Sequence, residues 1–447
     1  MPTHAPRGGI DALSREIFER GVRYCLPSAL LTRTGQTDRS SATLALSNRD
    51  DGSVDLTWLG ATFHVCHPAR PLTESEIKLL RSIGRVLSSR HRVLVDAAVA
   101  ADRLDLFRGL PEDRYVSAFL DSSPYTHGEP GFDRIAEAIE VLRISSSSTY
   151  ENRRINTGVL LFGSMPDPCH EEPTLPEGAL PYSTALTTSR TFSRLSDGMR
   201  TVALVDAAGR LVELVDIGEW AKPYDDLDLP VPCAERFVEH CRATLCGGHV
   251  CLVLTRNGEI KAFADGVQVF NFLDGRWRLS DIAEKYAQFE SALGHATLAD
   301  RLFRAALNLA ERRRGGLFVM LASPADADHL VAMDDRLDGG ATATAEHRSK
   351  TQFHYLLRGK SVLDLTSTVL ESIARIDGAI VLDRAANLLA FGAILRDRLV
   401  APEADRHAVE GGRTTAAIVA SRYGHALKVS EDGLVSFYSG GRAIWEI

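Results

Sequence analysis

Two stretches of this chain pass through the same elements in the same order, and that repetition restricts what it can fold into more than any other feature. Gly158-Val-Leu-Leu-Phe-Gly163 and Gly316-Leu-Phe-Val-Met-Leu321 are short apolar runs of strand length. Each leads into a hairpin, a helical segment and a second hairpin. In the first stretch these are Thr201–Val215 turning at Asp206–Gly209, Glu235–Thr244, and Val250–Phe263 turning at Asn257-Gly258. In the second they are Ala379–Phe391, Arg413–Ser421, and Ala426–Tyr438 turning at Asp432-Gly433, with a helical period over Ser361–Ile376 ahead of them. Asp206 and Asp383 lie 177 residues apart, Arg236 and Arg413 also 177, and Gly258 and Gly433 lie 175 apart. Near-constant offsets suggest an internal duplication of an α/β unit. Two unrelated α/β units that share generic Asn-Gly and Asp-Gly turns would give a similar pattern, so both readings stay open here.

The N-terminal third also mixes strands and helices. Ser53–Leu59 and Ala61–Cys66 alternate like half-buried strands, and Thr73-Glu-Ser-Glu76 is a capping box ahead of Ile77, Leu80, Ile83 and Leu87 at helical spacing. Ser145-Ser-Ser-Ser148 reads as a flexible boundary, and Met165–Pro181 as a Pro-rich acidic loop. A length of 447 residues allows two or three domains. The division expected is an N-terminal α/β domain over 1–145, a middle α/β unit over 146–285 and a C-terminal unit over 286–447.

Charge and cysteine usage narrow the function classes. With 51 Lys and Arg against 59 Asp and Glu, the formal charge is −8. A broad basic face for nucleic acid or an anionic membrane is not expected, although one Arg and a helix end suffice for a small anionic ligand. The longest strongly apolar run, Gly316–Ala322, is far short of the ~20 residues that span a bilayer. The first residues carry no apolar core of the kind a signal peptide needs. Seven cysteines, an odd number, do not suggest a disulfide framework. A reduced, cytoplasmic protein is the expectation.

Three C-terminal elements could carry chemistry. Asp377-Gly378-Ala379 sits where a helix hands over to a strand, and Asp377 could hold a divalent cation through its oxygens. Glu410-Gly411-Gly412-Arg413-Thr414-Thr415 places two glycines, a guanidinium and two hydroxyls at a helix start, which suits a phosphate. Ser430-Glu431-Asp432-Gly433 is an acidic turn. Taken singly, each is most often just a turn or a helix cap.

In order, they resemble the diadenylate cyclase (DAC) domain over about Glu311–Arg442. The family's leading-Gly strand, its Asp-Gly-Ala, its Gly-Thr-Arg-His-Arg-Ala-Ala and its Val-Ser-Glu hairpin are matched by Gly315-Gly-Leu-Phe-Val-Met, Asp377-Gly378-Ala379, Gly411-Gly-Arg-Thr-Thr-Ala-Ala417 and Val429-Ser-Glu-Asp432. The resemblance implies a mixed-sheet C-terminal domain, preceded by a degenerate copy if the duplication is real. It also implies two ATP molecules meeting across paired domains with Mg²⁺ or Mn²⁺ and condensing to cyclic di-AMP, with the Asp binding metal and the Arg-His-Arg handling phosphate. Carried across, Asp377 would be the catalytic and metal residue. Asp377, Gly378, Ala379, Gly412, Arg413, Thr414, Thr415 and Glu431 would line the nucleotide site. Thr414 and Thr415 stand where the family has His and Arg, so charge stabilisation of a leaving pyrophosphate should fall. The expectation is therefore a nucleotide sensor for ATP or a cyclic dinucleotide. An active cyclase is the first alternative and a non-catalytic scaffold acting through residues 1–145 the second. Pairing is expected either as a homodimer or between the two α/β units of one chain, with an effector partner for the N-terminal domain.

Other candidates rank lower. Arg153 and Arg154 precede a strand and could reach a phosphate, though adjacent arginines are usually a solvated face. Cys233, Cys241, Cys246 and Cys251 with His240 and His249 lack the Cys-x-x-Cys spacing of a zinc site, and His64, Cys66 and His67 do not converge because 64 and 66 share a strand face that 67 does not. No P-loop and no Gly-x-Ser-x-Gly elbow is present.

Overall fold

The structure is a computed structural model. It describes residues 7–36, 41–68, 70–96, 103–126, 132–151, 153–189, 191–337, 353–396 and 411–447. The chain divides into two compact units, Met1–Leu229 with Glu239–Ser280, and Pro230–Val238 with Asp281–Ile447.

The first unit opens with the helix Arg7–Cys25 and strands β1 (Leu30–Gln36), β2 (Ala45–Asn48), β3 (Val54–Trp58) and β4 (Ala61–Cys66). They form an antiparallel sheet in the order β1-β4-β3-β2. Val54, Leu56, Trp58, Phe63 and Val65 alternate inward, while His64 and Cys66 share the other face, where His64 Nδ1 lies 2.9 Å from Asp55 Oδ1. The capping box forms as read: Thr73 Oγ1 accepts from the Glu76 amide at 3.1 Å, and Glu76 accepts from the Thr73 amide at 2.9 Å, starting the helix Glu74–Val95.

The helices Pro111–Leu120 and Arg134–Ser146 follow, then the short pair β5 (Thr149–Tyr150) and β6 (Arg153–Arg154). The serine run expected to be a linker is a helix end instead: Ser145 is buried, and the Ser147 amide bonds back to Ile144 O at 3.2 Å. The boundary expected near residue 145 falls inside this unit. One apolar core takes in Trp58 and Phe63 of the first sheet, Leu79 and Ile83, Ile139 and Leu142, and Val159, Leu252 and Phe270 of the next sheet. Cutting the chain at 145 would expose that core to water.

The next sheet is built from β7 (Thr157–Leu161), β8 (Thr201–Val205), β9 (Leu211–Asp216), β10 (Val250–Leu254), β11 (Ile260–Ala264), β12 (Val267–Leu273) and β13 (Arg276–Leu279). Its order is β13-β12-β11-β10-β7-β8-β9, with β7 and β8 parallel and the other pairs antiparallel. The helical stretch read over Glu235–Thr244 is a 3₁₀ turn, Glu235–Phe237, running into the helix Val238–Arg242.

The second unit carries the helices Ile282–Leu293 and Ala296–Glu311 and strands β14 (Gly316–Leu321), β15 (Ala379–Asp383), β16 (Leu388–Ala393), β17 (Gly424–Val429), β18 (Val435–Ser439) and β19 (Arg442–Glu446). The order is β16-β15-β14-β17-β18-β19, again with one parallel pair, β14 and β15. Six strands of the first unit, β9-β8-β7-β10-β11-β12, follow the same order and sense, so the repeat in sequence is a repeat of topology.

The registers repeat too. Val159 faces Ala203 as Phe318 faces Ile380, and Leu254 faces Thr157 as Val429 faces Gly316. The turns match bond for bond. Asp206 Oδ1 accepts from the amides of Ala208 and Arg210 at 3.0 and 2.7 Å, and Asp383 Oδ1 accepts from those of Ala385 and Asn387 at 2.9 and 2.8 Å. The left-handed position is Gly209 (φ +80°) in one turn and Ala386 (φ +65°) in the other. An alanine there costs roughly 1 kcal/mol, and the buried Asp383 carboxylate offsets it.

Ser361–Ile376 is not the single helix its period suggests. Ser361 and Thr366 each act as an N-cap, starting the 3₁₀ turn Val362–Asp364 and the helix Ser367–Ala374. Between them Leu365 is extended, and the Val362 amide bonds to Ala386 O at 2.8 Å, tying the first piece to the β15–β16 turn. Ile376 lies past the helix and is exposed.

Candidate functional site

The C-terminal candidates converge at one corner of the second unit, where β14 and β15 begin and β17 ends. Two glycines shape it. At Gly315 a Cβ would stand 2.2 Å from Arg413 Nη1, so the Arg413 guanidinium lies directly on the backbone there. At Gly378 the chain takes φ +111°, and a Cβ would fall 2.4 Å from the carbonyl carbon of Gly392 on the neighbouring strand. Only glycine fits a left-handed residue pressed onto a strand pair. That constraint sets where Asp377 leaves the sheet.

Arg413 joins the two acidic residues. Its Nη1 donates to Glu431 Oε1 at 3.0 Å and its Nη2 lies 3.7 Å from Asp377 Oδ1. The side chains of Asp377 and Glu431 are 96% and 71% exposed, that of Arg413 35%. Ion pairs this open are worth only about 0–1 kcal/mol, so an incoming anion can displace either carboxylate cheaply. Arg413 would stay in place, because packing against Gly315 positions it as well.

The helix Gly412–Ala420 starts at Gly411, which makes no side-chain capping bond. The Thr414 and Thr415 amides bond to Gly411 O at 2.9 and 3.4 Å. First-turn amides ahead of them have no partner within a helix and form its positive end. Thr414 Oγ1 accepts a hydrogen bond from Lys428 Nζ at 3.0 Å. Ala379 is buried in the core, so only its backbone could meet a ligand. Glu410 lies outside the described residues. The corner therefore brings together Asp377, Gly378, Arg413, Thr414 and Glu431, and adds Lys428, which sequence reading missed. Its signal was present: a lysine interrupts the apolar run Ala426–Val429 on β17, where a half-exposed position faces the helix.

A divalent cation finds no cage here. No group of three or more His, Cys, Asp or Glu suited to a metal occurs among the described residues. Asp377 would be one ligand beside a guanidinium. Mg²⁺ commonly accepts a carboxylate or two together with substrate phosphates, so the corner fits a metal that arrives with a nucleotide rather than a resident one.

Comparison with known proteins adds little beyond this geometry. No family model and no curated protein matches the chain. Among solved structures, a double mutant of DacA from Staphylococcus aureus is 19% identical, with 37% of this chain and 87% of that one covered at a TM-score of 0.21. A hypothetical membrane spanning protein from Bacillus cereus is 22% identical over 38% and 76%, at a TM-score of 0.23. No helix among the described residues is long and apolar enough to cross a membrane.

The remaining candidates have structural partners. Arg154 Nη1 donates to Asn257 O at 3.0 Å, clamping the β10–β11 turn. His240 Nε2 lies 2.8 Å from Gly198 O, and all seven cysteines are free thiols. His249 is the most constrained. Its Nδ1 accepts from the Gly163 amide at 2.8 Å, so Nε2 carries the hydrogen and donates to Asp167 Oδ2 at 2.7 Å. The Tyr224 hydroxyl donates to the same carboxylate. Burial pushes His249 below its ordinary value, against the pull of Asp167. Burial alone would raise Asp167, but hydrogen bonds from Tyr224, the Cys169 amide and His249 hold it low.

Protonating His249 at Nδ1 would set two donors face to face. The unfolded chain takes up that proton near 6.5, the folded chain only at lower pH. The His249 contribution is thus complete above the unfolded value and lost as pH falls below it. Urea midpoints measured from pH 8 to pH 5 should decline in the native chain and decline less in His249→Gln. Parallel curves would refute this.

Proposed function

We propose that the C-terminal unit is a divergent DAC-like domain that binds a nucleotide, ATP or a cyclic dinucleotide, as a sensor. The observation that carries this reading is Arg413, seated on Gly315 at a helix start and flanked by Asp377 at 3.7 Å and Glu431 at 3.0 Å. A phosphate facing the helix end would take Arg413 from these exposed carboxylates, and Asp377 would be released toward a hydroxyl or a metal carried by the nucleotide. The ordered resemblance to the DAC motifs supports the ligand class. Thr414 and Thr415 in place of two cations favour holding a phosphodiester over expelling pyrophosphate. Isothermal titration of the full chain with ATP and with cyclic di-AMP should give binding to at least one, weakened about tenfold or more by Arg413→Ala. Absence of binding to every nucleotide tested would discard the reading.

One observation favours catalysis instead. Lys428 sits 3.0 Å from Thr414, so part of the missing positive charge returns from the sheet. Incubation with ATP and Mn²⁺ followed by chromatography decides between them. A cyclic dinucleotide product that disappears in Asp377→Asn would make the protein a cyclase.

A further inference from the structure

The matched registers give the candidate corner a counterpart in the first unit. On β7 the position of Gly315 is taken by Asn156, and on β8 that of Asp377 by Arg200. At the end of β10 Glu431 becomes Arg256. The equivalence extends to the flanking clamp. A Cβ at Gly258 would lie 3.2 Å from Arg154 Nη1, and one at Gly433 would lie 3.0 Å from Arg313 Nη1. An arginine at the same register position thus lies against both turns. The strand register of the corner is kept between the units, while Gly315 and Gly378 are replaced by Asn156 and Thr201 and both carboxylates by guanidinium groups.

Its loop is rigid. Asp197 Oδ1 accepts from the amides of Met199, Arg200 and Thr201 at 2.9, 2.8 and 3.0 Å. Asn156 Nδ2 donates to Asp197 O at 2.6 Å. Gly198, at φ +70°, is pressed against Thr157, where a Cβ would stand 2.5 Å from its carbonyl oxygen. Arg200 therefore leaves a backbone tied by these bonds and this contact, and Arg256 leaves a turn clamped by Arg154. Arg154, Arg200 and Arg256 are all exposed. Strand register thus puts Arg200 and Arg256 at one corner of a chain with net charge −8, with Arg154 on its flank, and exposed guanidinium groups are the side chains best suited to phosphate.

We infer that this corner of the first unit binds the phosphate groups of a small phosphorylated ligand without a metal ion. Its one carboxylate, Asp197, spends Oδ1 on three amides of its own loop, and its arginines supply the charge that a cation would. The inference does not rest on nucleotide binding by the second unit.

Titration of the full chain with inorganic pyrophosphate in EDTA tests it. Native protein should bind, and Arg200→Glu with Arg256→Glu should weaken that event about tenfold or more, with the urea midpoint unchanged because both side chains are exposed. If the second unit also takes pyrophosphate, a second event appears that Arg413→Ala removes and the Arg200/Arg256 pair does not. Should the charge reversals impair folding, Arg200→Gln with Arg256→Gln replaces them. No binding by the native chain, or binding lost with Arg413→Ala alone, overturns the inference.

Discussion

Asp133→Ala will destabilise the first unit by about 3–5 kcal/mol, the cost of leaving a buried guanidinium without its counter-ion. Asp133 is 4% exposed. Its Oδ2 accepts from Arg114 at 2.8 Å and from the Tyr125 hydroxyl, and its Oδ1 accepts from Ser117 and from the Ala136 amide at 3.0 Å. One carboxylate thus neutralises an arginine, satisfies two hydroxyls and caps the helix Arg134–Ser146. Net stabilities run to only about 5–15 kcal/mol, so the loss threatens the whole unit. Tryptophan fluorescence during urea unfolding is the measurement, since Trp58, Trp220 and Trp277 all lie in that unit. Asp377→Ala, at a 96% exposed side chain, should stay within about 0.5 kcal/mol of the native chain. Equal effects at the two aspartates would contradict the burial argument.

Gly378→Val is expected to cost the second unit more than about 3 kcal/mol, from a β-branched residue at positive φ plus a backbone collision. The only relief is to part β15 from β16 at Gly392, which also moves Asp377. Circular dichroism should show the stability loss, and nucleotide titration should show no binding even where the protein folds. Gly412→Ala serves as the contrast. Nothing lies within 4 Å of a Cβ there, and as a helical residue it should leave stability unchanged or raise it by about 0.4–1 kcal/mol. A folded Gly378→Val chain with native affinity would mean that the corner does not depend on that glycine.

Much of the fold was legible because it is local chemistry. The strands came from apolar runs, the turns from Asp, Asn and Gly, and the Thr73 helix from its capping box. Where reading failed, a longer-range contact had intervened. Ser361–Ile376 broke in two because Leu365 is extended and Thr366 caps a new helix, while Val362 ties the first piece to the distant β15–β16 turn. Ser145 looked like linker because a serine run is polar, yet the helix it ends packs against a sheet contributed by residues far along the chain. Lys428 was missed because its partner, Thr414, is 14 residues away on another element.

By itself the sequence determined β3, β4, β7 to β11 and β14 to β18, their hairpins and the recurring order of elements, because periodicity and turn residues act over a few bonds; β1, β2, β5, β6, β12, β13 and β19 carried no such signal. It also placed Asp377, Arg413 and Glu431 in order along the chain. Tertiary structure alone decided that these three meet at one corner, that Gly315 seats the arginine, and that the equivalent corner of the first unit is basic. Those are matters of strand register, and register is set by which faces bury their side chains against a common core.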